Sequence, residues 1–306
     1  MQLRSSILKA IAYFDLFNYP LAIEDILYFL DTEAEDYPVR RELDALVNEG
    51  CLFRTGPFYS LQNDPTLGDR RNLSHKRADA LIPIAERGAR LLFQFPFVRG
   101  VFISGSLSKH CAEEKEDVDY FIVTSANRLW IARTLMHLFK KLTYFRGRQH
   151  RYCMNYYVDE EALEIREKNI FTATELVTLI AASGNGGIIS FFKANEWTTR
   201  FYPRYHHRNR ESLGTPRSSW LKRTCEQLLN NRIGDRLDDY FRKVTARRWK
   251  KKVDRGDLNL RGLRMSLQCG KHCARPNPEI FQQKVLVRYQ RKIKELSPYF
   301  FRNEII

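Results

Sequence analysis

The residues of this chain best suited to chemistry are the pair Gly105-Ser106 and, after ten intervening residues, Asp117-Val118-Asp119. Two aspartates at i and i+2 on a strand point to the same face, so two hard carboxylates would meet at one spot. Like charges that close repel unless a cation lies between them, and Mg²⁺ is the oxygen-seeking ion that phosphate chemistry recruits. Asp119 also precedes the run Tyr120-Phe121-Ile122-Val123, where an unpaired carboxylate would be expensive. Val101-Phe102-Ile103-Ser104 would deliver Gly105-Ser106 to a strand end where a short helix starts. Backbone N–H groups there suit a phosphate; glycine allows close approach, the Ser106 hydroxyl adds a donor and Lys109 a cation. A Gly-Ser pair by itself marks ordinary turns, and Glu113, Glu114, Glu116 and Asp117 by themselves would make a solvated acidic turn. Only the combination points to a metal–phosphate site.

The elements that must position these residues are legible from periodicity. Apolar positions at helical spacing predict helices over Ser5 to Leu16, after Pro20, and over Val39 to Glu49, with Gly50 as a terminal cap. Cys51-Leu52-Phe53 and Phe58 to Leu61 flank Gly56-Pro57 as a hairpin, so residues 1–62 read as a winged helix-turn-helix. Residues 63–95 read as a connecting helical segment. Strands follow at Val98 to Ser104, Val118 to Thr124 and Tyr152 to Val158, with an amphipathic helix from Asn127 to Phe145, and they define a core over 96–165. Thr172 and Glu175 have the spacing of a capping box, and 166–306 reads as a mostly helical, basic region. The fold class expected is α+β, a small mixed sheet between a winged helix and a helical tail.

The Gly-Ser pair, the ten-residue gap, Asp-x-Asp and the apolar strand resemble the signature of the DNA polymerase β nucleotidyltransferase superfamily. The resemblance covers roughly residues 98–158, and the winged-helix start and helical tail are similar to bacterial nucleotidyltransferase-like proteins. It implies Asp117 and Asp119 as ligands of Mg²⁺ (or Mn²⁺), with Gly105, Ser106 and Lys109 on the phosphates of an NTP, ATP being the one expected. The reaction implied is attack of an acceptor hydroxyl on the α-phosphate, with pyrophosphate leaving. The third carboxylate of that superfamily falls on the strand Tyr152 to Val158, where Asn155 occupies the matching place. Asparagine offers a neutral oxygen but cannot ionise and is a poor base. Asp159 is either a substitute on the same face or an exposed loop residue. His110 stands where many members carry glycine, which implies a reshaped turn.

Composition bounds the rest. The six cysteines form no CxxC pair, and free thiols in a cytoplasmic protein are expected. Asp15 breaks the N-terminal apolar stretch and three glycines break the one near Phe171 to Phe192, so neither a leader nor a membrane span is expected. The net charge of +15 lies in the last third: residues 201–306 hold 26 Lys and Arg against 10 Asp and Glu. With Arg247-Arg248-Trp249-Lys250-Lys251-Lys252, this fits RNA or another polyanion as well as a solvated helix face. The first 62 residues carry Arg4, Lys9, Arg40, Arg41 and Arg54 against ten carboxylates. Protein docking or internal packing therefore suits the winged helix better than DNA. Cys269-Gly270-Lys271-His272-Cys273 lacks the paired spacing of a zinc module. Three functions stay open: a nucleotidyltransferase with an unassigned acceptor, a weak or inactive interaction or antitoxin-like module of the same fold, and a nucleic-acid-binding regulator.

Overall fold

A computed structural model describes residues 2–114, 117–144, 149–204, 216–258, 267–276 and 279–300. The chain opens with α1 (Gln2–Asp15), α2 (Ile23–Tyr28) and α3 (Asp36–Asn48), then the hairpin β1 (Phe53–Thr55) and β2 (Phe58–Ser60). Gly56 turns this hairpin at φ +60°, and Leu21 bridges Tyr59 beside it. The long α4 (Thr66–Phe93) leads to β3 (Val98–Ser104), β4 (Asp119–Thr124), α5 (Leu129–Tyr144) and β5 (Cys153–Asp159). Then come α6 (Ile170–Val177), β6 (Ile180–Ser183), α7 (Asn185–Ala194), α8 (Trp220–Leu229) and α9 (Arg232–Asp254). The chain continues through the hairpin β7 (Leu267–Cys269) and β8 (Cys273–Pro276) to α10 (Glu279–Leu296).

Six strands form one mixed sheet in the order β6-β3-β4-β5-β8-β7. The β3–β4 pair is antiparallel with Ser104 opposite Asp119; β4 and β5 run parallel across the α5 crossover. Both faces are covered, which is why β3 and β4 are nearly continuous apolar runs. Phe102, Phe121, Val123 and Val158 face a cluster shared with α1, α6 and α7, whereas Val101, Ile103, Tyr120, Ile122 and Tyr157 face α4 and α5.

The structure corrects the expected boundary at residue 166. β6 pairs with β3, and β8 pairs with β5, so the region read as helical supplies three of the six strands. Each of these strands has only three or four residues, too short for a period-two signal. The capping box at Thr172 is also corrected. Asn169 is the N-cap of α6 and accepts from the Thr172 N–H at 3.0 Å, which leaves Glu175 free for another role.

The N-terminal unit shares its core with the sheet. Its residues Ile7, Ile11, Phe14 and Leu30 belong to the same buried cluster as Phe102 and Phe121. Tyr13 meets Tyr289 of α10 at 5.8 Å, Lys292 pairs with the buried Asp15, and Arg4 donates to the Tyr299 carbonyl at 2.8 Å. Three of the five cations of this unit are spent internally: Arg4 on Glu42 and Glu49, Lys9 on Asp31 and Arg40 on Asp36.

On the other face, α9 caps α5. The buried Asp238 accepts from the N–H groups of Trp130 at 2.8 Å and Ile131 at 2.9 Å, donors that no turn of α5 itself can satisfy. Burial pushes this carboxyl up to about 6, against the pull of the two N–H groups. Because the unfolded value is about 4, the folded chain holds that proton more tightly. This contribution to stability therefore declines as the pH rises from about 4 towards the folded value. Asp238→Ala is expected to lower stability by about 1–2 kcal/mol in chemical denaturation at neutral pH. Asp238→Asn, which cannot ionise, is expected to flatten that decline.

Candidate functional site

The β3–β4 pair ends at the turn that holds the site. Gly105 takes φ +74°, and a Cβ built on it would lie 2.7 Å from Asp119 Oδ2. Glycine is thus required twice, for its left-handed backbone and for the space the carboxylate occupies. Leu107–Lys109 then forms one 3₁₀ turn, in which the Ser106 carbonyl accepts from Lys109 N at 2.8 Å and Cys111 N at 3.1 Å. The turn closes at His110 with φ +56°. The chain therefore keeps the left-handed conformation that glycine favours without glycine, and the His110 ring is anchored on Asp79 at 2.7 Å.

Asp119 lines a cavity of about 430 Å³ together with Gly105, Ser106, Lys109 and Asn155. Asn155 sits where β5 slips register beside Tyr120 and Phe121, and its Nδ2 donates to Asp119 Oδ1 at 2.5 Å. Cys153 Sγ donates to Asn155 Oδ1 at 3.1 Å, which fixes the amide's orientation. Burial, with the Asp119 charge beside it, pushes this thiol up to about 12 and keeps it protonated as a donor.

Asp117 precedes the strand and does not line the cavity; its Oδ1 meets His150 Nδ1 at 2.5 Å. Among the described residues no group of three or more His, Cys, Asp and Glu side chains is placed to hold a metal. Lys109 reaches back over the turn, donating to the Gly105 carbonyl at 3.2 Å and pairing with Glu175 at 2.8 Å.

Asp159 is corrected on both readings. It is fully buried, not an exposed loop residue, and it lies opposite Thr124, at the far end of β5 from Asn155. Its carboxylate accepts from Asn127 N at 2.9 Å and meets His272 Nδ1 at 2.8 Å. That contact accounts for the histidine between Cys269 and Cys273, whose segment is the β7–β8 turn, with Gly270 N donating to the Cys273 carbonyl at 2.8 Å.

Sequence reasoning missed Glu175 as a site residue because its spacing from Thr172 suggested a cap. It also missed Arg275 and Gln282, which reach the cavity from β8 and α10 with no local motif to mark them. The aromatic walls came unannounced too: Tyr13, Phe14, Phe17 and Tyr19 arrive from the N-terminal unit, and the Tyr19 hydroxyl donates to the Lys109 carbonyl.

Compared with protein-family models, curated proteins and solved structures, the chain finds no match.

Gly105→Ala is expected to cost about 2 kcal/mol or more, the sum of left-handed strain and displacement of Asp119. Gly56→Ala shares the positive φ but would meet nothing within 4 Å, so it reports the strain alone. A larger loss at 105 than at 56 in paired denaturation curves checks the close approach.

Proposed function

We propose that the cavity is a nucleotidyltransferase site of the polymerase β type. In this reading the triphosphate of an NTP lies on the Gly105-Ser106 turn, and an acceptor hydroxyl enters beside Asp119. The acceptor oxygen bonds to the α-phosphorus as the bond to the pyrophosphate oxygen breaks; the hydroxyl proton passes to solvent or a neighbouring base. The observation that carries this reading is the fit of Gly105 against the Asp119 carboxylate where both line the cavity. A turn and a carboxylate are brought to one spot by a backbone conformation that only glycine adopts without strain.

The donor set suits Mg²⁺ delivered with its nucleotide, since that ion is usually held by one or two carboxylates plus phosphate oxygens and water. Asp119 would hold the ion, which supplies charge neutralisation at the phosphates when bound; Asp117, outside the cavity, would join it only by leaving His150. Lys109 would exchange its Glu175 partner for phosphate oxygen. Asn155 orients Asp119 and cannot serve as a base.

The Asn155–Asp119 bond is also what favours a second reading, a binding module of the same fold with little or no turnover. For the N-terminal unit, the internal use of its cations supports packing and protein docking over DNA contact. On α9, Trp249 packs inward beneath Arg133 at 4.6 Å, while Arg247, Arg248 and Lys250 to Lys252 stay exposed, which leaves a basic face for RNA or another polyanion.

Purified protein and its Asp117→Ala/Asp119→Ala variant, incubated with each labelled NTP, Mg²⁺ and cell extract, decide between the readings. Label transfer by the wild type and its loss in the variant are expected; no transfer with NTP binding intact favours the binding module. Asn155→Asp sharpens the test. Setting a second carboxylate against Asp119 is expected to lower the melting temperature without divalent ions, and Mg²⁺ or Mn²⁺ is expected to restore it.

A further inference from the structure

The cavity carries two polar side chains that the transfer chemistry leaves unused. Arg275 on β8 and Gln282 on α10 are each only 7 % exposed, and both line the cavity that holds Asp119. Among the described residues Gln282 makes one hydrogen bond, from Nε2 to Thr172 Oγ1 at the long distance of 3.5 Å, and its Oε1 accepts none. Arg275 gives Nη2 to Glu167 at 2.6 Å and Nη1 to the Tyr156 hydroxyl at 3.4 Å, while Nε has no partner. Buried polar groups are hydrogen-bonded in the great majority of cases, so two under-used side chains on one cavity point to a ligand that completes them.

The surrounding walls are rings. The Arg275 guanidinium lies over Tyr156 at 5.3 Å from the ring centre, Tyr156 packs on Phe121 at 4.7 Å, and Phe171 meets Phe281 at 5.9 Å. An aromatic slot with donors from one side chain and an acceptor from another complements a planar heterocycle. Its place in the sheet fits as well. β4, β5 and β8 are successive neighbours, which sets the strand of Arg275 roughly 10 Å from that of Asp119. That separation suits a nucleotide with its phosphate at one end and its base at the other.

We propose, resting on the nucleotide reading above, that this end of the cavity holds the base of the donor nucleotide and that Arg275 and Gln282 make the site select purines. A purine presents N7 beside an exocyclic oxygen or amine, a two-point edge that arginine reads on guanine and glutamine on adenine. Pyrimidines lack N7, and their comparable pair, N3 beside the C4 group, lies on the other edge of the ring, out of register with side chains set for the purine edge.

The test titrates ribose-labelled fluorescent ATP, GTP, CTP and UTP, each with Mg²⁺, onto the full chain and onto Gln282→Leu, with inorganic tripolyphosphate as a base-free competitor. The wild type is expected to bind both purine nucleotides about tenfold or more tighter than the pyrimidines. Gln282→Leu is expected to weaken purine binding about tenfold while pyrimidine and tripolyphosphate affinities stay unchanged. Thermal unfolding checks the variant, and Gln282→Met, of the same length, replaces it should the leucine protein not fold. Equal affinity for all four nucleotides, abolished by Asp119→Ala, overturns base selection and leaves the nucleotide site standing. A uniform loss across all four in Gln282→Leu likewise overturns it. Binding of neither nucleotide nor tripolyphosphate overturns the nucleotide reading and the base site with it.

Discussion

The contact on which the rest of this structure depends is between the backbone of Gly105 and the carboxylate of Asp119. It exists because β3 and β4 are antiparallel and end in register, with Ser104 opposite Asp119. The chain leaving β3 must turn at once, and the carboxylate at the start of β4 points into the space a side chain would fill. The turn, the 3₁₀ segment after it and the position of Lys109 all follow from that approach. A carboxylate held this close to backbone is oriented by sterics as much as by hydrogen bonds, and Asn155 completes its setting from the next strand.

Around that point the fold builds an enclosure from distant parts of the chain. α1 contributes Tyr13 and Phe14, the turn after it Phe17, α6 contributes Phe171 and Glu175, and α10 contributes Phe281 and Gln282. α1 and α10 are tied together by the Asp15–Lys292 pair and the Tyr13–Tyr289 contact. The N-terminal unit therefore forms part of the cavity wall and touches the turn itself through the Tyr19 hydroxyl on the Lys109 carbonyl. Two cations at the cavity are held by carboxylates, Lys109 by Glu175 and Arg275 by Glu167.

Local pattern made much of this legible. Strong periodicity marks α1, α3, α4 and α5, and continuous apolar runs mark β3 and β4, because each of these buries a face along its whole length. Gly105, Ser106, Lys109, Asp119 and Asn155 line one cavity. Asp117 does not join them; it precedes the strand, where the i and i+2 rule no longer constrains its direction, and turns to His150. Asp159 looked like a site residue or a loop residue because sequence cannot show that a histidine 113 positions later approaches it across a strand pair. β6, β7 and β8 were hidden by their shortness. The aromatic walls were hidden because the residues that meet there are far apart in the chain.

The most direct measurement is a crystal structure of the chain grown with Mn²⁺ and a non-hydrolysable NTP, with the anomalous signal used to locate the metal. The expected result is Mn²⁺ signal beside the Asp119 carboxylate, with the phosphates on the Gly105-Ser106 turn. A nucleotide bound elsewhere, for example along the exposed basic residues of α9, with Asp119 still bonded to Asn155 and no metal beside it, would contradict it.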